Sequence, residues 1–265
     1  MFSSCPPCPH FQRNQLAEVI CQFRFPPILS IETREPADFQ EAIRQKFPRY
    51  AVHKEQLPPR MVGAGGPNAR LETQAPVTNY YFVSADSKWK INLTKNFISI
   101  STVAYTGWES FAAQFDQPLA EFIRIYQPAF FERIGLRYLN IFSRTALDLE
   151  DIPWSALISP SYTGPLSRAG VVDADLSKFS MDCEVILDSS CRARLHSGIA
   201  QVKSNVPNAP VDPERKFILD IDTSMPGQTE PRMAAAVLET LHGHATGLFA
   251  EALLDPLKDA LRPET

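Results

Sequence analysis

The chain has 265 residues, of which 44% are hydrophobic and 21% charged, and a net charge of −4 at pH 7. That length and composition belong to a globular protein able to bury a sizeable core, and they exclude a disordered or collagen-like chain. The slight overall acidity removes any global electrostatic case for nucleic acid, although residues 1–150 carry 16 Lys/Arg against 14 Asp/Glu while residues 151–265 carry 10 against 16.

Residues 1–12, with Cys5-Pro6-Pro7-Cys8-Pro9-His10, read as a flexible arm lacking the charged and apolar regions of a signal peptide. A strand is expected over 16–25, where Val19, Cys21, Phe23 and Phe25 alternate with Glu18, Ile20, Gln22 and Arg24 before Pro26-Pro27 stops it. Phe39, Ile43 and Phe47 recur at spacing four and predict a helix over 36–47. The Pro- and Gly-rich stretch 57–78 reads as a long loop. Strands follow at 80–84, 89–93 and 97–103, the first two joined by a turn at Asp86-Ser87. Trp108, Phe111, Phe115, Leu119, Phe122 and Tyr126 form an aromatic stripe that predicts a helix over 107–126, read as core. Pro128 ends it, and a strand returns at 131–142.

Residues 143–170 read as a connector with a short helix near Trp154. Strands are expected at 179–187, 192–202 and 216–222, with a Pro-rich loop at 205–213, and a long helix at about 229–254. Both halves thus place strands before a long helix. The fold expected is α+β and pseudo-duplicated, with two curved antiparallel sheets each packed on a long helix. The divisions are an arm at 1–12, a first half at 13–145, a connector at 146–170 and a second half at 171–265, the halves open to being one continuous domain.

Two stretches carry a resemblance. Asn14-Gln15-Leu16-Ala17-Glu18-Val19-Ile20-Cys21-Gln22-Phe23-Arg24-Phe25-Pro26-Pro27 and Arg133-Ile134-Gly135-Leu136-Arg137-Tyr138-Leu139-Asn140, with Trp108-Glu109, Leu241-His242 and Phe249, resemble an uncharacterised family of prokaryotic proteins described as sporadically distributed. Gln15 stands where that family usually has Pro. The resemblance covers most of the chain and implies a common fold and a patchy distribution. It implies no established activity and transfers no catalytic residue.

The chemical signals are sparse. Cys5-x-x-Cys8-x-His10 offers half a zinc set but has no second pair, so no metal and no cofactor are expected. His242 and His244, two apart, do not share a helix face. Gly-x-Ser-x-Gly, phosphate-loop and Gly-x-Gly-x-x-Gly patterns are missing. Strand parity gives one basic face in the first half, with Arg24, Lys88, Lys90, Arg133 and Arg137 beside Tyr138 and with Gly135 leaving an open patch. Such a face suits phosphate or a nucleic-acid strand, or else Arg137 pairs with Glu18 to fix sheet order. A second polar face collects Asp182, Glu184, Arg192, Arg194, His196, Asp220 and Asp222. It reads either as a salt-bridged sheet surface or as a cleft with His196 as acid or base.

These signals favour a non-enzymatic binding or protein-interaction component, or a homo-oligomer, in a defence or toxin–antitoxin-like cassette. Nucleic-acid or nucleotide binding through the basic face is the alternative, and a metal-dependent hydrolase using the acidic and His face is the third. No apolar run reaches the roughly 18 residues that span a membrane. The odd count of five cysteines fits reduced thiols, so the expected location is the cytoplasm.

Overall fold

The computed structural model describes residues 10–56, 58–63, 69–202 and 212–264. The chain opens with β1 (Leu16–Arg24), α1 (Leu29–Thr33) and α2 (Ala37–Ile43). Six strands follow: β2 (Arg49–Glu55), β3 (Arg60–Val62), β4 (Arg70–Glu72), β5 (Val77–Val83), β6 (Trp89–Leu93) and β7 (Phe97–Thr102). The first long helix is α3 (Trp108–Tyr126), which leads to β8 (Phe131–Phe142). Three short helices, α4 (Arg144–Leu147), α5 (Trp154–Leu157) and α6 (Pro160–Thr163), fill the connector. Then come β9 (Phe179–Ile186), β10 (Arg192–Gln201), β11 (Arg215–Thr229), the second long helix α7 (Ala234–Ala252) and α8 (Asp255–Leu261).

The architecture is α+β. Nine strands form one antiparallel sheet in the order β2-β5-β6-β7-β1-β8-β11-β10-β9, and β3 pairs with β4. In place of two sheets there is one, because β8 pairs with β1 on one side and with β11 on the other. Each half therefore supplies the other with the partner that its edge strand needs.

Register fixes two faces. Cys21 lies opposite Leu136, and Leu136 opposite Thr223, so all three project to one side. Both long helices pack there. Phe115 and Phe122 of α3 meet Phe23 and Phe25 at ring-centroid distances of 5.6 and 4.8 Å. The Thr223 hydroxyl donates to the Leu136 carbonyl at 3.0 Å and lies 3.2 Å from the Leu241 carbonyl of α7. The β1 residues predicted to face the core, Val19, Cys21, Phe23 and Phe25, are all fully buried. Burying each large apolar side chain contributes roughly 1.5–3 kcal/mol. α3 stops where Gln127 adopts a left-handed φ of 46° and Pro128 follows.

Three expectations need correction. Residues 10–13 are not a loose arm: Gln12 and Arg13 donate backbone hydrogen bonds to Arg262 and Leu261, and Glu264 donates to His10. The expectations for residues 1–9, Cys5 and Cys8 included, lie outside the described residues, as does most of the Pro-rich loop 205–213. The stretch 57–78 is not wholly loop, since its described parts hold the β3–β4 pair and the start of β5. Asp220 and Asp222 lie on a strand that runs on to Thr229, through a bulge at Pro226 and Gly227.

Candidate functional site

Antiparallel pairing of β8 with β11 joins the two polar faces read separately from the sequence. Arg133 and Arg137 of β8 point away from the helices, as do Asp220 and Asp222 of β11 and Arg192, Arg194 and His196 of β10. Asp182 and Glu184 of the edge strand β9 complete the array.

The arginine pairs across it are diagonal, while Asp182 and His196 pair straight across. Asp222 stands opposite Arg137 and Arg194 but binds Arg133, whose Nη2 lies 2.9 and 3.0 Å from the two carboxylate oxygens. Asp220 binds Arg137 through two nitrogens at 2.8 and 2.6 Å. Glu184 stands opposite Arg194 but pairs with Arg192 at 3.3 Å. Asp182 meets His196 at 2.9 Å. The alternative Arg137–Glu18 pairing gives way to Arg137–Asp220: Asp220 of β11 makes the hydrogen bonds, and Glu18 of β1 adds only a weaker, longer-range attraction.

Diagonal pairing leaves two guanidiniums over. Arg24 and Arg194 are exposed and make no ion pair or hydrogen bond among the described residues. Arg24 lies directly opposite Arg133 in the β1–β8 register, a like-charge juxtaposition that destabilises a sheet unless an anion offsets it. Both free arginines line a cleft of ≈ 500 Å³ with Arg133, Arg192, Glu184 and Asp222.

Other members of the predicted basic face lie elsewhere. Lys88 sits in the turn before β6, its backbone N–H donating to Asp86 at 3.1 Å. Lys90 is on β6, separated from β8 by β7 and β1, with its ammonium 5.7 Å from the centroid of the Tyr81 ring. Tyr138 has the opposite parity to Arg137 and projects into the core, only 7% exposed. Gly135 does not leave an open patch, because the Arg133 guanidinium lies over it; an added Cβ would fall 2.8 Å from the guanidinium carbon.

The hydrolase reading required carboxylates that are partly buried and not all matched by arginine. Glu184, Asp220 and Asp222 each hold an arginine, and Asp182, the acid without one, is exposed and meets His196. Among the described residues, one group of three metal-competent side chains lies within 4.8 Å: Asp188, Cys191 and His244. Asp188 Oδ1 accepts the Ser190 and Cys191 backbone N–H groups at 2.7 Å each, and Oδ2 pairs with His244 Nε2 at 2.9 Å. The Ser190 N–H foremost, with the other bonds of this turn, holds the Asp188 carboxyl well below the usual carboxylate range. Burial pushes the Cys191 thiol up to about 11, so it stays protonated. Turn capping accounts for this group, and three donors fall one short of a closed tetrahedral set.

A second feature, on the helix face, went unread. Trp108 opens α3, and its indole N–H donates to Glu239 of α7 at 2.8 Å. The indole stacks on His242, with centroids 4.4 Å apart and planes within 6°. His242 Nδ1 lies 2.8 Å from the Tyr138 hydroxyl. Burial lowers the His242 pKa below 6.5, against the opposing pull of Glu239 and Glu109, so the imidazole is neutral at pH 7. Burial also pushes the Tyr138 phenol well above 10. Together with residues 10–16 these groups enclose a cavity of ≈ 270 Å³. Its signal in the sequence was indirect. Asn14, Trp108, Tyr138, His242 and Phe249, from all the stretches that carry the family resemblance, line this one cavity.

Comparison with known proteins adds no identity: no protein-family model matches the chain, and no curated protein matches it significantly.

Proposed function

We propose that the chain is a binding protein rather than an enzyme, and that the charged sheet face takes a phosphate-bearing ligand, a nucleic-acid backbone or a nucleotide. The observation that carries this reading is the pair Arg24 and Arg194, unpaired among the described residues and lining one cleft with Arg133 and Arg192. Guanidiniums held on rigid strands suit bidentate contact with phosphate oxygens. The four engaged carboxylates argue against hydrolysis at the same face. The cleft is local, so the net charge of −4 does not oppose the reading.

The wider setting is part of the same proposal. It takes the chain as a cytoplasmic, accessory member of the sporadically distributed prokaryotic family, acting with a protein partner in a defence-type cassette, and its two halves as diverged copies of one strand-and-helix unit. The resemblance of Asn14–Pro27 and Arg133–Asn140 supports this.

Affinity for a single-stranded oligonucleotide or a nucleoside triphosphate, measured across a salt series, tests the site. Arg24→Ala and Arg194→Ala should each weaken binding and flatten the dependence of log K on log salt by about one unit. Binding that is insensitive to salt and to both replacements contradicts the reading. Binding of the triphosphate but not of the oligonucleotide assigns the site to nucleotides.

A further inference from the structure

The cavity beneath Tyr138 and His242 lies on the opposite face of the sheet from the arginine cleft and needs its own explanation. Its walls are planar: Phe11, Tyr105, Trp108 and Phe249 line it alongside Tyr138 and His242. Its polar groups are mostly neutral. Asn140 is 2% exposed, yet it makes one hydrogen bond, from Nδ2 to the Leu219 carbonyl at 3.3 Å, and its other amide positions have no partner among the described residues. His242 uses Nδ1 on Tyr138, and Nε2 has no partner among the described residues. Asn140 and the half-buried His242 thus keep spare hydrogen-bonding capacity at the wall of a cavity, where an entering ligand meets it.

The lining also restricts the ligand. Among the described lining residues there is no lysine or arginine, and Glu109 is the sole carboxylate. A phosphate or carboxylate would therefore enter without a countercharge. Aromatic walls favour a flat ring that stacks. Amides such as Asn140 and Asn14 present a donor and an acceptor side by side, the edge that matches a lactam or an amidine. We propose that this cavity is a binding site for a small, uncharged, planar heteroaromatic molecule of nucleobase type. Such a ligand stacks on the aromatic wall and exchanges hydrogen bonds with Asn140 and with Nε2 of His242.

The test is calorimetry on the full chain with adenine, guanine, cytosine and uracil as probes, beside tetramethylammonium and inorganic phosphate. The expected result is saturable binding of at least one base and none of tetramethylammonium, while any phosphate binding belongs to the arginine cleft and is left unchanged by the two replacements that follow. His242→Phe keeps a ring against Trp108 but removes Nε2, and Asn140→Ala removes the amide. Each should weaken the bound base roughly twofold to tenfold. Thermal melts identify any variant that fails to fold, in which case the other decides. Saturation by no base, or base binding unchanged in the variants that fold, overturns the proposal. Selective binding of tetramethylammonium overturns it too, since the walls would then form a cation cage.

Discussion

One strand serves two chemistries. The outward residues of β8, Arg133 and Arg137, hold carboxylates of β11 on a surface reached by water. The inward residues, Tyr138 and Asn140, are nearly buried and hold a neutral, aromatic cavity against α7. Neighbours in sequence thus belong to separate sites. What separates them is the period-two alternation of a strand whose two faces differ in solvent access. On the outer face charges interact through water-rich surroundings, so pairing contributes modestly. On the inner face an unpaired charge is barely tolerated.

That difference predicts a steep contrast between adjacent positions. Leu136 is fully buried, so Leu136→Asp places an uncompensated carboxylate in the core and should cost about 3–5 kcal/mol in urea unfolding. The neighbouring Arg137→Ala should cost about 1–2 kcal/mol, because Arg137 is 42% exposed and loses a bidentate pair rather than a core contact. Equal costs at 136 and 137 would break the two-face account.

The parity behind this contrast was legible in the sequence. Val19, Cys21, Phe23 and Phe25, which alternate with Glu18, Ile20, Gln22 and Arg24, and likewise Ile134 and Leu136, are buried as expected. The pairing of Arg137 with Asp220 was not legible. It depends on which strands become neighbours across 83 positions of chain, and no local pattern encodes that. β2 was also invisible, because every residue of Arg49–Glu55 is exposed and an edge strand shows no apolar alternation. The length of β11 was hidden by Pro226-Gly227, which reads as a stop but is absorbed in a bulge, with Gly227 at a φ of 108°. The cavity stayed hidden because it joins residues from five separate segments, and Trp108 fitted a helical stripe equally well as core.

A smaller effect sharpens the inner side of the comparison. Burial lowers the folded pKa of His242 beneath its ordinary 6.5, so the unfolded chain takes up the proton first as pH falls. Its share of stability is complete above pH 6.5 and declines as pH drops below that value toward the lower folded pKa. Unfolding free energy of the wild type should slope downward over that window, and His242→Phe should remove part of the slope. A slope of the opposite sign would mean that Glu239 and Glu109 outweigh burial. A conservative change on the outer face should have a still smaller effect. Gly135→Ala displaces only the flexible end of Arg133, so its cost should stay below about 1 kcal/mol.

The central claim is that unpaired arginines, rather than positive charge in general, make the outer cleft a phosphate site. Fluorescence anisotropy of a labelled oligothymidylate tests it most directly, comparing wild type, an Arg24→Ala/Arg194→Ala double variant and Arg137→Ala from about 50 to 200 mM salt. The double variant should flatten the salt dependence by about two units, and Arg137→Ala should flatten it by much less, because Asp220 already neutralises that guanidinium. An equal loss from Arg137→Ala, or wild-type binding that does not respond to salt, would contradict the claim.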